Sequence, residues 1–270
     1  MPRIRTIKPE FWTDDLVGTL SPEARLLFIA TWNIADDEGL LRWSAPTLKG
    51  AVFPFDASIS IRHVDKYMAE LVQAGLLFPY KGGHSQQPLA FIINFAKHQK
   101  INRPSPSRLP PPSIQTTEAR DMYSRRDGHI CHLCGGQIEP IGPGCNEDFV
   151  ISLDHIVPVS LNGSDFPSNI RAAHGTCNKG RGNRTINEYR ALLADGKTIA
   201  QQRWPERFSE CLTERPYADL GTGIREQELG SGSIDLGSHK EREAALGVTV
   251  DLVLPESAHH QALKKKRAVG

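Results

Sequence analysis

The sequence predicts an α+β protein with more than one domain. Its 270 residues are enough for about two domains of ordinary size. Residues 1–95 change from helical periodicity to a pair of short apolar runs, and residues 118–204 contain a specialised set of Cys, His and Asn side chains. A proline-rich stretch at 96–117 separates these regions. We therefore expect two domains, a linker between them and a C-terminal tail at 205–270.

Three helices are predicted in the first region. The sequence Ser-Pro-Glu at 21–23 is typical of a helix start, because Ser caps, Pro fits the first helical position and Glu favours the positive end of the dipole. Apolar residues then recur at helical spacing as far as Trp32. A short helix is predicted at Ala45–Val52. A longer one begins after Ser60 and ends before Gly75, where a left-handed residue favours a helix end.

A β-hairpin is predicted after these helices. Two apolar runs, at 76–80 and 89–93, flank a polar turn that contains Gly82 and Gly83. Three helices followed by a hairpin is the element order of a winged helix-turn-helix domain. In such a domain the helix after Ser60 would be the recognition helix and the hairpin would be the wing. We predict this fold for residues 1–95.

The linker and the tail have distinct compositions. The linker contains five prolines between 104 and 112, which favour a stiff, extended chain. It also contains basic residues, among them Arg103, so it would either lie along a phosphate backbone or serve as a solvated spacer. Residues 205–270 are predicted to be mostly disordered, because the segment 221–238 is rich in Gly and Ser.

Charge and hydropathy exclude several classes of protein. The formal net charge is +1, so no overall basic field attracts nucleic acid, and any such binding must come from local clusters. No stretch approaches the ~18 apolar residues of a membrane span, and the N-terminus lacks the apolar core of a signal peptide. We expect a soluble, cytoplasmic protein that does not contact a membrane.

The cysteines predict a metal site. There are five, none of them in the first 130 residues, which argues against a disulfide framework. Cys131 and Cys134 form a C-x2-C pair. His174 and Cys177 are three residues apart, so a turn or a helix start brings both to one side. These four ligands predict a structural Cys3His zinc site, since no coordination position is left for a substrate. Another cysteine, Cys145, remains an alternative ligand.

Four motifs occur in a fixed order within residues 120–190. They are the C-x2-C pair, an Asp-His-Ile-Val-Pro segment at 154–158, an Asn at 169 and a Cys-Asn pair at 177–178. In this order they resemble the HNH endonuclease family, a branch of the ββα-metal nucleases. The resemblance implies a small ββα-metal domain at 118–204. Such a domain would hydrolyse DNA phosphodiester bonds with Mg²⁺ or Mn²⁺ and would be stabilised by a structural Zn²⁺.

The resemblance also implies a role for each residue of the centre. Asp154 would bind the catalytic divalent ion, His155 would be the general base that activates water, and Asn169 would orient the loop. His174 lies five residues after Asn169, where the family has a zinc ligand, and the third catalytic position falls on Asn178. The chain therefore resembles an H-N-N variant in which Asn178 is the second ligand of the ion.

Two features of this region permit a second interpretation. A zinc finger without catalysis would also explain the zinc ligands, although it has no need of the Asp154–His155 pair or of the two Asn residues. The basic residues that follow the last motif would either contact phosphates or form a solvated face. These residues are Lys179, Arg181 and Arg184.

The N-terminal region has a resemblance of its own. The segments Arg5–Trp12, Ala35–Gly39 and His98–Ser105 resemble the N-terminal winged-helix module of phage and prophage replication-initiation proteins. This resemblance covers about residues 3–112. It implies binding to DNA, or to phage or host replication proteins, in a bacterial cell.

The two resemblances together predict a phage or prophage HNH endonuclease that a winged-helix module directs to DNA. One alternative is a replication-initiation DNA-binding protein whose HNH-like domain is a non-catalytic zinc module. Another is cleavage of RNA by the same centre.

Overall fold

Helices and strands are interspersed along the chain in a computed structural model that describes residues 3–139, 148–203 and 206. The described residues belong to one compact unit, and none of their helices is long and apolar enough to cross a membrane. The predicted α+β class is confirmed. The predicted disordered tail lies, except for Glu206, outside the described residues. The elements are α1 (Asp15–Gly18), α2 (Pro22–Ile34), β1 (Leu40–Arg42), α3 (Ala45–Val52), α4 (Ile61–Gln73), β2 (Leu77–Gly82), β3 (Gln87–Ile92), α5 (Phe95–His98), α6 (Thr117–Arg126), β4 (Ile151–His155), β5 (Ile170–His174), α7 (Gly175–Arg181), α8 (Ile186–Ala194) and α9 (Ile199–Arg203).

Side-chain caps begin the main helices of the N-terminal region. The Ser21 hydroxyl accepts a hydrogen bond from the backbone of Ala24 at the start of α2. Ser60 accepts one from His63 at the start of α4 and forms a capping box with it. Each cap satisfies a backbone N–H that has no partner within its helix. The three helices predicted from the sequence are therefore present, and α3 has the predicted bounds.

A three-stranded antiparallel sheet follows these helices, with the strand order β1–β3–β2. The predicted hairpin is β2–β3, in which Leu77 pairs with Ile92 and Gly82 pairs with Gln87. The sequence pattern did not predict β1, which adds to the free edge of β3. Three residues are too few to show the alternation that identifies a strand. The assignment as a winged helix, with its recognition helix and wing, stays a prediction.

A shared apolar cluster joins the N-terminal region to the C-terminal one. Leu40 and Phe91 belong to the three-stranded sheet, whereas Met122 and Tyr123 lie on α6 and Ile170 begins β5. All five are buried. The sheet and the C-terminal region, called the second region below, therefore pack directly against each other. Burial of apolar surface stabilises such a contact by roughly 25 cal/mol per Å².

The linker also packs against the N-terminal region. The Ser105 amide donates to Asp37 Oδ2 at 2.9 Å, and the Tyr80 hydroxyl donates to the Pro110 carbonyl at 2.7 Å. Prolines cannot donate backbone hydrogen bonds, so these contacts use the residues between them and the carbonyl groups. Residues 105–110 therefore run along the N-terminal region, while Arg103 is exposed to solvent.

Candidate metal and nuclease centre

The four predicted zinc ligands lie together in the second region. Cys131 and Cys134 lie in a tight turn closed by a β-bridge between Ile130 and Gln137. His174 ends β5, and Cys177 lies in the first turn of α7. Their ligand atoms are all within 4.8 Å of one another, and all four side chains are buried. A group this compact fits the tetrahedral coordination that zinc takes with three Cys and one His.

Hydrogen bonds orient these ligands toward a common centre. His174 Nε2 is 2.8 Å from the Gln137 carbonyl oxygen, which can only accept, so Nε2 holds the proton. His174 Nδ1 is then able to bind a metal, and it lies 3.4 Å from Cys134 Sγ and 3.7 Å from Cys177 Sγ. A backbone carbonyl that fixes the tautomer of a ligating His is a common feature of zinc sites.

The thiols influence one another's ionisation. Burial raises the pKa of the Cys131 thiol, but hydrogen bonds from Cys134, Cys177 and His174 outweigh it and bring the pKa well below its usual range. The hydrogen bond to Cys131 raises the pKa of Cys177. Three crowded thiolates repel one another unless a cation lies between them, and a bound metal keeps its thiol ligands deprotonated. The donor set therefore fits zinc.

Asp154 and His155 end β4 and face opposite ways, as neighbours on a strand do. β4 pairs antiparallel with β5, so that Asp154 lies opposite Arg171 and His155 opposite Ile170. Asp154 is only 3% exposed. The His155 side chain lies at the surface of the domain and is 15% exposed.

Asp154 has two charged or polar partners that the sequence pattern did not assign to it. Its Oδ2 is 2.7 Å from His132 Nε2, and its Oδ1 accepts from Arg181 Nη1 at 2.6 Å. His132 lies between the two cysteines of the C-x2-C pair, so it connects the zinc cluster to Asp154. No signal in the sequence identified His132, because a single His beside a metal ligand has no periodic or spacing pattern of its own.

The expected phosphate contact of Arg181 needs correction. Arg181 is 1% exposed, and its guanidinium donates to Asp154, to the His155 carbonyl at 2.7 Å and to the Ile156 carbonyl at 2.6 Å. Its Nε donates to the Arg184 carbonyl at 2.9 Å. Because α7 ends at this residue, the side chain turns back toward β4, and its guanidinium donates to acceptors inside the protein. By contrast, the side chains of Lys179 and Arg184 are exposed.

His155 has an acidic neighbour that the sequence pattern did not reveal. Its Nε2 lies 2.7 Å from Asp165 Oδ1, and the Asp165 side chain is 57% exposed. His155 Nδ1 makes no hydrogen bond within the described part of the chain. Spacing could not indicate this pair, since ten residues and an irregular loop separate its members.

Asn169 connects the two ends of the loop between β4 and β5. Its Oδ1 accepts from the Val157 amide at 2.8 Å, and its Nδ2 donates to the carbonyls of Val157 at 3.1 Å and Ser164 at 2.8 Å. The loop is tight, since a Cβ at Gly163 would lie 1.7 Å from the Val157 carbonyl oxygen. These bonds define the path of the backbone that follows His155.

Asn178, in α7, faces the end of β4. Its Nδ2 donates to Ser152 Oγ at 2.8 Å and to the Leu153 carbonyl at 3.0 Å. The carbonyl can only accept, so the amide orientation is determined, and Oδ1 is the free atom. Among the described residues, Oδ1 has no hydrogen-bond donor. Asn178 therefore presents an oxygen of the kind that Mg²⁺ and Mn²⁺ bind.

Asn178 Oδ1 and the carboxylate of Asp154 are oxygen donors of the chemical kind that a divalent ion such as Mg²⁺ or Mn²⁺ binds. Each carboxylate oxygen of Asp154 accepts one hydrogen bond and has a second lone pair available. The Arg181 guanidinium beside Asp154 already supplies one positive charge, so an ion there would share the carboxylate with it.

Comparisons with known proteins give one family match. The HNH endonuclease family model matches residues 131–184. A comparison with curated proteins returned no match. Two solved structures are similar at low TM-score. One is titled "N-Terminal domain of DNA binding protein" (13% identity, TM-score 0.26, 51% of this chain and 90% of the other). The other is titled "Structure of Rep-DNA complex" (12% identity, TM-score 0.25, 52% and 92%). The zinc cluster, the Asp-His strand end and Asn178 all fall inside the matched segment, and residues 131–184 thus form a domain of the HNH endonuclease family.

Proposed function

We propose that this protein is a metal-dependent HNH endonuclease that hydrolyses DNA phosphodiester bonds. The observation that supports this most directly is the arrangement at the end of β4. His155 presents a free Nδ1 at the surface, and Asn178 presents a free Oδ1 in the same domain. A non-catalytic zinc module needs neither atom.

In this proposal His155 Nδ1 takes a proton from a water molecule. The water oxygen forms a bond to phosphorus as one ester P–O bond breaks, and the leaving oxygen receives a proton from solvent. The products are a phosphomonoester and a free hydroxyl group. A neutral imidazole suits the task, because its ordinary pKa lies near neutral pH.

The remaining residues of the centre position these groups. Asp154 and Asn178 would hold the divalent ion, which would stabilise negative charge on the phosphate oxygens. Asn169 holds the loop after His155. Arg181 fixes the end of β4 by its bonds to the carbonyls of His155 and Ile156. Zn²⁺ at the Cys3His cluster would stabilise the domain without taking part in the cut.

The DNA contacts are assigned to basic residues at the surface. Lys179, Arg184 and Arg103 are exposed and suited to phosphates. The N-terminal region, as a winged helix, would bring the nuclease to DNA in a phage-infected or prophage-containing bacterial cell. Replication proteins would be further partners of this region. Cleavage of RNA by the same centre is a further possibility, which the cleavage assay tests when an RNA substrate replaces the DNA.

The proposal is tested with supercoiled plasmid, purified protein and Mg²⁺ or Mn²⁺. We expect nicking that EDTA stops and that His155→Ala abolishes, with zinc content and thermal stability unchanged. His129→Ala is the matched control, because His129 is an exposed His of the C-terminal region that also makes one side-chain contact, with Ser124. Full cleavage by His155→Ala would disprove the assigned role.

A DNA-binding protein without catalysis is the second candidate. It is favoured by the two strong bonds to Asp154, which leave that carboxylate neutralised by Arg181 before any ion binds. Under this alternative the protein retards DNA in a gel and cuts neither DNA nor RNA with any divalent metal.

A further inference from the structure

The contact between His155 and Asp165 involves one donor nitrogen and one acceptor oxygen. Asp165 Oδ1 lies 2.7 Å from His155 Nε2. An ionised carboxylate only accepts hydrogen bonds, so the proton of a neutral imidazole lies on Nε2 in this pair. The lone pair is then on Nδ1, which makes no hydrogen bond within the described chain.

Asp165 differs from the carboxylates that stabilise the fold. Asp127 is buried and bonded to Arg126, Arg171 and the Ala172 amide. Asp165 is more than half exposed, and its contact with His155 is its single hydrogen bond or ion pair in the described part of the chain. An exposed pair of this kind adds little to stability. We therefore expect the contact to affect the orientation and tautomer of the His155 ring more than the stability of the fold.

The loop backbone presents Asp165 at a defined place. Asn169 Nδ2 donates to the Ser164 carbonyl at 2.8 Å, directly before Asp165. The Gly163 amide donates to the Pro158 carbonyl at 3.0 Å, and no side chain fits at Gly163. The two residues directly before Asp165 are thus both hydrogen-bonded, Gly163 to Pro158 and Ser164 to Asn169.

We propose that Asp165 is a positioning residue that fixes the tautomer and the ring orientation of His155, so that Nδ1 faces the attacking water. This inference rests on the proposed nuclease function. Without Asp165, the proton would distribute between the two ring nitrogens, and the ring would rotate more freely about its side-chain bonds.

The kinetic test compares two substitutions at Asp165. Asp165→Ala should lower kcat about ten- to a hundredfold, the size of effect that is typical when a residue that orients a metal-binding His is removed. The KM for plasmid, the zinc content and Tm should stay the same. The Asp165→Asn amide can accept from Nε2–H or donate to Nε2, so the kcat of this variant should follow the fraction of His155 that holds the proton on Nε2. Asp195→Ala is the control, because Asp195 is also 57% exposed and pairs with Lys197.

The second readout is direct and does not require cleavage. Two-bond ¹H–¹⁵N correlation spectra of the full-length protein report which nitrogen of His155 holds the proton, and the signals are assigned by their loss in His155→Ala. We expect the Nε2–H form in wild type and a mixture of both forms in Asp165→Ala. Unchanged kcat in Asp165→Ala, a slow Asp165→Asn variant whose His155 still holds the proton on Nε2, or the same tautomer in wild type and Asp165→Ala would overturn the inference. If wild type cuts no nucleic acid, the proposed nuclease function fails, while the spectra still decide the role of Asp165.

Discussion

The Glu38 carboxylate, in the turn before β1, accepts a hydrogen bond from the Ser168 hydroxyl at 3.1 Å. This bond joins the N-terminal region to the loop that contains Asp165 and Asn169. The second carboxylate oxygen, Oε2, is buried and has no hydrogen-bond partner among the described residues. Burial raises the pKa of Glu38, with Asp36 and Asp37 adding to the rise and Ser168 opposing it. The contact between the two regions therefore contains an acid that is costly to ionise.

Glu38→Gln should stabilise the protein at neutral pH. Because folding raises the pKa of Glu38, its contribution is favourable below the ordinary value of 4.5 and is lost as pH rises through the higher value in the folded protein. The free energy of unfolding, measured by urea denaturation at several pH values, should differ between wild type and variant above this range and converge in acid.

Asp37→Asn is the control of opposite sign. Burial raises the pKa of Asp37, but Arg5, the Ser105 amide and Arg3 together lower it by more than burial raises it, so the net shift is downward. The stabilisation that it provides is present at neutral pH and is lost as pH falls through the lowered pKa. Asp37→Asn should therefore be less stable than wild type at pH 7. Equal pH profiles for the two variants would contradict this assignment of charges.

Zinc removal should unfold the second region. Chelation removes the metal, and Cys177→Ser removes one of its ligands. Zinc binding supplies about 10 kcal/mol of apparent binding energy in small zinc domains. We expect the zinc content measured by atomic absorption to fall and Tm to drop by a large amount. Cys145→Ser should keep the zinc, since Cys131, Cys134, His174 and Cys177 complete the set without it. Cys145 itself lies outside the described residues. Zinc loss in that variant would make it a ligand.

Arg181→Met should destabilise the protein by about 3–5 kcal/mol, because it leaves the buried Asp154 carboxylate without its ion-pair partner. Urea denaturation measures this loss. Arg184→Ala and Lys179→Ala remove exposed charges and should change stability by no more than about 0.5 kcal/mol.

The same two surface variants should weaken DNA binding. Each should lower the slope of log affinity against log salt by about one, the expected effect of losing one phosphate contact. If the Arg181→Met protein had normal stability but bound DNA weakly, the result would support the phosphate contact that the sequence predicts for Arg181.

Asn178→Asp should be a poor replacement despite its added negative charge. Asn178 Nδ2 donates to the Leu153 carbonyl at 3.0 Å, and a carboxylate oxygen in that place would repel the carbonyl oxygen. The lost donor and the unsatisfied carbonyl should cost about 1–3 kcal/mol. Urea denaturation measures the loss and Mn²⁺ titration the ion affinity. Asn183→Asp, an exposed site two residues after α7, controls for the change in charge. Equal or greater stability of Asn178→Asp would contradict the donation from Asn178 Nδ2 to the Leu153 carbonyl.

Local patterns predicted much of the fold and of the metal centre. Ser21 and Ser60 are caps, and the bounds of α3 follow from its flanking signals, because helix starts depend on neighbours in sequence. The zinc ligands were predicted for the same reason, since two short spacings place them in pairs. β1 was missed, because a three-residue strand forms only when the edge of β3 is present to bond with it.

The sequence by itself determined the α+β class, the main helices, the hairpin, the four clustered zinc ligands and the family of residues 131–184. Tertiary structure alone decided which side chains meet across long separations. It placed His132 and Arg181 on Asp154, Asp165 on His155, and Glu38 on Ser168. The physical reason is that a polar side chain pairs with whatever charge the packed backbone brings within about 3 Å, and spacing in the sequence does not reveal that distance.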